Sequence, residues 1–192
     1  MNDFVIYVKM GLTHVLDYKA YDHILFLIVL AVIYNFNKWK KVLWLITLFT
    51  IGHGLSLALS AYGILKVRID LVEFLIPFTI FVTGVANIFT AKESISSKQN
   101  LNLVLALFFG LIHGLGFSNY FRMMIGQEDD KLLPLVEFAL GIELAQIIVV
   151  FGILILGSLL QSFRVSRRDW ILVTSSIVIG FAIQMMVERV FW

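Results

Sequence analysis

Four histidines stand in this chain of 192 residues, at His14, His23, His53 and His113. Two of them interrupt strongly apolar runs, "FTIGHGLSL" (49–57) and "FFGLIHGLGF" (108–117). An imidazole in such surroundings needs a partner, because a buried polar group without one is costly. Asp22 adjoins His23, and Glu143 with Gln146 one turn on interrupts a further apolar run. Imidazoles grouped with carboxylates are the donor set of borderline divalent ions such as zinc or nickel. Magnesium would favour oxygen ligands alone. The chain has no cysteine, so thiolate sites and disulfides are excluded.

Sixty per cent of the residues are hydrophobic, 15% are charged and the mean hydropathy is +0.93. This is the composition of a membrane protein. Six runs approach the ~20 apolar residues that a crossing requires: 20–36, 42–62, 71–91, 101–121, 132–160 and 170–188. The loops between them are short and polar, and the expectation is one compact transmembrane domain over residues 1–192. "MNDFVIYVKMG" has neither a basic leader nor a small-residue cleavage site, so no secretory leader is expected. Residues 4–16 are too short to span. Phe4, Val8, Leu12 and Val15 or Leu16 follow helical spacing, which suggests an amphipathic interfacial helix.

Basic residues are nearly balanced between the two sides. The concentrated groups Lys38, Lys40, Lys41 and Arg164, Arg167, Arg168, together with Lys92 and Lys98, favour the odd-numbered loops inside. Trp39, Trp44 and Trp170 mark the same boundary. Both termini then fall on the non-cytoplasmic side. In this topology His23 lies within about one turn of the outer end of its span, and His53 and His113 lie about 12–14 Å below the outer ends of theirs. Glu137 and Glu143 sit at depths of about 8 and 16 Å. All four histidines thus share the outer half of the bundle. Glu137 and Glu143 lie about 240° apart around one helix, so only one can face a given site. Gln146 shares the face of Glu143, which favours Glu143. Asn87 and Ser56 read as hydrogen-bonding residues between helices, with Ser56 and Gln146 behind the ligands. Glycines flank both buried histidines, and small residues let helices approach closely.

The blocks "GLTHVLDYKAYDHILFLIVL" (11–30), "LFTIGHGLSLAL" (48–59), "FFGLIHGLGFS" (108–118) and "EFALGIELAQ" (137–146), with a weaker echo in "VEFLIPFTIFVTGVANIF" (72–89), carry a family signature. Through them the chain resembles the HupE/UreJ hydrogenase and urease accessory membrane proteins. The resemblance implies an all-helical six-span bundle in a bacterial inner membrane that handles nickel or a similar divalent ion. By motif, the family's polar positions fall on His14, Asp22, His23, His53, His113, Glu143 and Gln146.

Three functions are compatible with these residues. The first is a secondary permease or metal-handling protein, with His14, Asp22, His23, His53, His113 and Glu143 as ligands. The ion would be nickel or zinc, with cobalt, copper and iron also compatible in softness. The second is a zinc-dependent intramembrane hydrolase of a lipid or lipid-linked amide or ester, with Asp22 or Glu143 as general base. The third is a structural role beside other membrane proteins. The expected partners are the bilayer and a metal ion. No basic stripe suggests nucleic acid.

Overall fold

The computed structural model describes residues 3–91, 99–126 and 130–192. Lys92 and Lys98, counted above for orientation, lie outside them. The described residues form seven helices and no strand: α1 (Asp3–Leu16), α2 (Asp22–Ala31), α3 (Trp39–Ala61), α4 (Ile69–Thr90), α5 (Gln99–Ile125), α6 (Leu132–Ser162) and α7 (Arg167–Glu188). A 3-10 turn, Phe36–Lys38, precedes α3. Five of the helices, α3 to α7, are long and apolar enough to cross a membrane. Their exposed faces carry large apolar side chains such as Trp44, Phe89, Ile148 and Val173, as lipid-facing surfaces do.

The first expected span, 20–36, takes a different form. Only Asp22–Ala31 is helical within it, a ten-residue helix of about 15 Å, half of a hydrocarbon core. The chain leaves the helix after Val32 and is extended at Asn35 (φ −87°, ψ 157°) before the 3-10 turn. Eight of the ten residues of α2 are buried, because the longer helices enclose it. Its end still faces apolar surroundings, where free carbonyls must find donors. Asn87 Nδ2 donates to the Val29 carbonyl (2.7 Å) and Arg167 Nη2 to the Ile33 carbonyl (2.7 Å).

Hydrogen bonds at the two ends of α2 fix its direction. At its start, Arg189 beyond α7 reaches both Asp22 and the Glu73 carbonyl near the start of α4. Past its other end, Tyr34 pairs with Asn102 near the start of α5. The segment 22–34 therefore joins one end of the bundle to the other.

Two helix crossings depend on glycine. A Cβ on Gly110 or Gly114 of α5 would collide with the Phe49 or His53 backbone of α3, and one on Gly52 with the Leu107 carbonyl. The second crossing joins α1 to α6, where a Cβ on Gly11 would meet the Phe138 carbonyl and one on Gly141 the Val8 carbonyl. Backbones in such direct contact leave no room for a side chain. The buried stripe of α1 is accordingly Tyr7, Gly11 and Val15, while Phe4 is 45% exposed. Of the expected stripe of Phe4, Val8, Leu12 and Val15 or Leu16, Val15 is buried, and toward the start of the helix the buried face rotates to Tyr7 and Gly11. The glycine that carries the contact adds nothing to an apolar pattern.

Candidate metal centre

The α1–α6 crossing brings the end of α1 and its His14 over the middle of the bundle. His23 enters from the first turn of α2, His53 from the middle of α3, and His113 from α5 beside it. His23, His53 and His113 are 4%, 0% and 1% exposed. Ring centroids of His14 and His23 lie 4.6 Å apart, and His53 is 5.7 Å from each. One nitrogen from each of these three lies within 4.8 Å of the others. His113 adjoins His23 at 5.2 Å. All four sequence-predicted histidines thus meet, three as a triad and His113 on its flank.

Hydrogen bonding fixes which nitrogens face inward. His23 Nδ1 lies 3.0 Å from Asp22 Oδ1, which also accepts from the His23 backbone N–H at 2.9 Å. Asp22 Oδ2 faces Arg189 Nη1 at 3.5 Å. The Nδ1 proton is thereby directed to the carboxylate, and Nε2 presents its lone pair, the arrangement in which carboxylates support metal-bound histidines. His113 Nε2 lies 3.3 Å from Thr79 Oγ1. His14 Nε2, His23 Nε2, both His53 nitrogens and His113 Nδ1 are buried without a hydrogen-bond partner among the described residues. Each such atom costs about 1–3 kcal/mol. Phe117 lies against His14 (4.1 Å), and Phe26 and Phe49 against His113 (5.1 Å each). Burial, and then the neighbouring His23, push His14 titration well below the ordinary imidazole range, so this imidazole is held neutral.

A divalent ion fits this donor set. Zinc–imidazole bonds of about 2.0–2.1 Å in tetrahedral geometry separate ligand nitrogens by about 3.3 Å. The triad's 4.8 Å limit needs only a modest contraction to reach that spacing.

The remaining expected site residues are arranged differently. Glu143 lies beside α3, where the Thr47 hydroxyl donates to its Oε1 (2.6 Å) and Thr50 Oγ1 lies 2.5 Å from its Oε2. Thr50 is also 3.1 Å from Gln146 Oε1, and Gln146 is fully buried. Glu143 and Gln146 share a face, as their spacing suggests. Glu137 is nonetheless also buried, at 7% exposure. Ser56 donates to the His53 carbonyl, not to its ring. Asn87 bonds Val29 and Ser175 between helices, as expected.

Sequence reasoning missed Thr79, Arg189, Thr47 and Thr50. The last two carried a partial signal: Thr50 stands three residues before His53, and Thr47 three before Thr50, so each neighbouring pair lies about 60° apart around α3.

An all-helical membrane protein with a buried cluster of histidines is the class that fold and site together define. More particularly, the chain belongs to the HupE/UreJ family, whose model, described as "HupE / UreJ protein", matches residues 1–189. Members of this family are nickel or cobalt transport or accessory membrane proteins. No curated protein and no solved structure matches the chain.

Proposed function

We propose that this protein binds a divalent transition-metal ion as cargo and passes it across a bacterial inner membrane. The ligands are His14, His23 and His53, with His113 as the adjoining acceptor and Asp22 as the carboxylate that orients His23. Nickel is the expected ion, and zinc suits the same donors. The observation that carries the reading is the triad of buried imidazole nitrogens within 4.8 Å of one another, with no hydrogen-bond partner among the described residues on His14 Nε2, His23 Nε2 or either His53 nitrogen.

In this reading the chain is one membrane domain with six crossings. Segment 22–34 supplies the first, supported by its contacts at both ends of the bundle. The C-terminus, on the Asp22 side, lies outside the cytoplasm. The engagement of both candidate bases favours transport over hydrolysis. Asp22 is held by His23 and Arg189, and Glu143 by two threonines.

Elemental analysis of the purified protein tests this directly. About one equivalent of nickel, cobalt or zinc is expected to co-purify and to be lost in His53→Ala. Proteoliposomes are expected to take up Co²⁺ with the wild-type chain and not with His53→Ala. Metal retained by His53→Ala would refute the site, and tight binding without uptake would refute transport.

A further inference from the structure

We propose a second cation site, built of oxygen ligands and lying one helical turn along α3 from the histidine centre. Its ligands are Glu143 and Gln146 of α6 and Thr47 and Thr50 of α3. The inference rests on the cation-handling reading above and adds to it a station toward the opposite face.

Thr50 precedes His53 by three residues and Thr47 by six, so the hydroxyls step away from the histidines by about 4.5 Å each along the axis while turning about 60° each around it. Glu143 and Gln146 meet them from the neighbouring helix. Thr50 Oγ1 is 2.5 Å from Glu143 Oε2 and 3.1 Å from Gln146 Oε1, and Thr47 Oγ1 is 2.6 Å from Glu143 Oε1. Two hydroxyls, a carboxylate and an amide oxygen therefore converge within one interhelical patch. A second observation is independent of those bonds. Gln146 is 0% exposed, and its Nε2 has no hydrogen-bond partner among the described residues, which leaves the buried amide with an unmet donor that a bound water would satisfy. An ionisable carboxylate inside a membrane span is itself a mark of an ion pathway.

The chemistry assigns the order. Imidazole nitrogens hold borderline ions such as Co²⁺ or Ni²⁺ more firmly than hydroxyl and amide oxygens do. Conduction needs binding firm enough for entry and weak enough for exit. Capture at the nitrogens followed by transfer to oxygens provides a downhill release step. Each threonine hydroxyl has two lone pairs as well as its proton, so rotation converts it from a donor to Glu143 into a ligand of the ion.

The two sites differ in hardness, and paired probes separate them. Mn²⁺ favours oxygen ligands, and its binding is read from loss of the free-ion paramagnetic resonance signal. The full chain is used in nanodiscs of zwitterionic lipid. Wild type is expected to bind Mn²⁺, His53→Ala to bind it within twofold of wild type, and Glu143→Gln at least tenfold more weakly. Thr50→Val, nearly isosteric, is expected to bind it at least threefold more weakly, and it serves should Glu143→Gln fail to fold. The tight Co²⁺ equivalent is expected to show the opposite pattern, kept in Glu143→Gln and lost in His53→Ala.

Mn²⁺ binding that is absent in wild type, or unchanged in both Glu143→Gln and Thr50→Val, overturns the second site. Loss of tight Co²⁺ from a folded Glu143→Gln overturns its separateness, since Glu143 would then belong to the histidine centre. Tight Co²⁺ that survives His53→Ala refutes the histidine centre itself, a different failure.

Discussion

Asp22→Asn removes a charge behind His23 while keeping the size of the side chain and an oxygen that can accept the Nδ1 hydrogen. In the wild type that hydrogen faces a buried carboxylate at 3.0 Å. A hydrogen bond to a charged group contributes about 1.5–3 kcal/mol, against about 1 kcal/mol for a neutral one. The substitution therefore costs about 1–2 kcal/mol of support for His23, and the loss is felt most when the ring donates to a cation and its Nδ1–H becomes more acidic. At 1.4 kcal/mol per factor of ten, Co²⁺ affinity should fall about 5- to 30-fold. That agrees with the 10- to 100-fold typical of carboxylates supporting ligand histidines. The assay is competition between detergent-solubilised protein and a chelator of known affinity, with one equivalent still bound at saturation. Affinity within twofold of wild type would refute the orienting role. Complete loss, as in His53→Ala, would make Asp22 a direct ligand and refute the division between triad and support.

Arg189→Gln should reduce Co²⁺ affinity less than about fivefold. Its side chain is 27% exposed and 3.5 Å from Asp22, and partly solvated pairs contribute at most about 1 kcal/mol; the same chelator competition checks it. Gly141→Ala should lower thermal stability by about 1–3 kcal/mol and weaken metal binding together, because the new Cβ meets the Val8 carbonyl and displaces the helix that carries His14. Chemical denaturation and a Co²⁺ titration on the same sample test the pairing. Acid should release the ion, since protons and metal compete for the same lone pairs. The lowered titration of His14 keeps the neutral, binding form present below the ordinary imidazole range, so Co²⁺ bound at pH 7.5 should remain bound at pH 6 and be lost at lower pH. Dialysis across that range, followed by metal analysis, decides the matter.

Much of this arrangement is legible in the residues. Apolar runs and polar loops locate α3 to α7 to within a few residues, since lipid exposure demands long uninterrupted apolar helices. The convergence of His23, His53 and His113 follows from their depths on those helices. Two features escape that logic. Hydropathy reads 20–36 as continuous and does not register the break after Val32, because donors from Asn87 and Arg167 replace the helix's own hydrogen bonds there. The seat of α1 depends on Gly11 and Gly141, residues that contribute shape and no hydrophobicity. His14 is legible as polar and near the mouth, while its place in the triad depends on a crossing of two backbones that no single segment encodes.

The enclosure of α2 bears on how the protein is made. A ten-residue helix is too short to be a stable guest of the bilayer by itself. The side chains that satisfy its terminal carbonyls stand 58 and 134 residues later in the chain. Segment 22–34 therefore reaches its final seat only after α4 and the start of α7 have emerged from the ribosome and entered the membrane. His23 settles beside His14 and His53 no earlier than that, so a chain cut short before α7 should fail to assemble the triad.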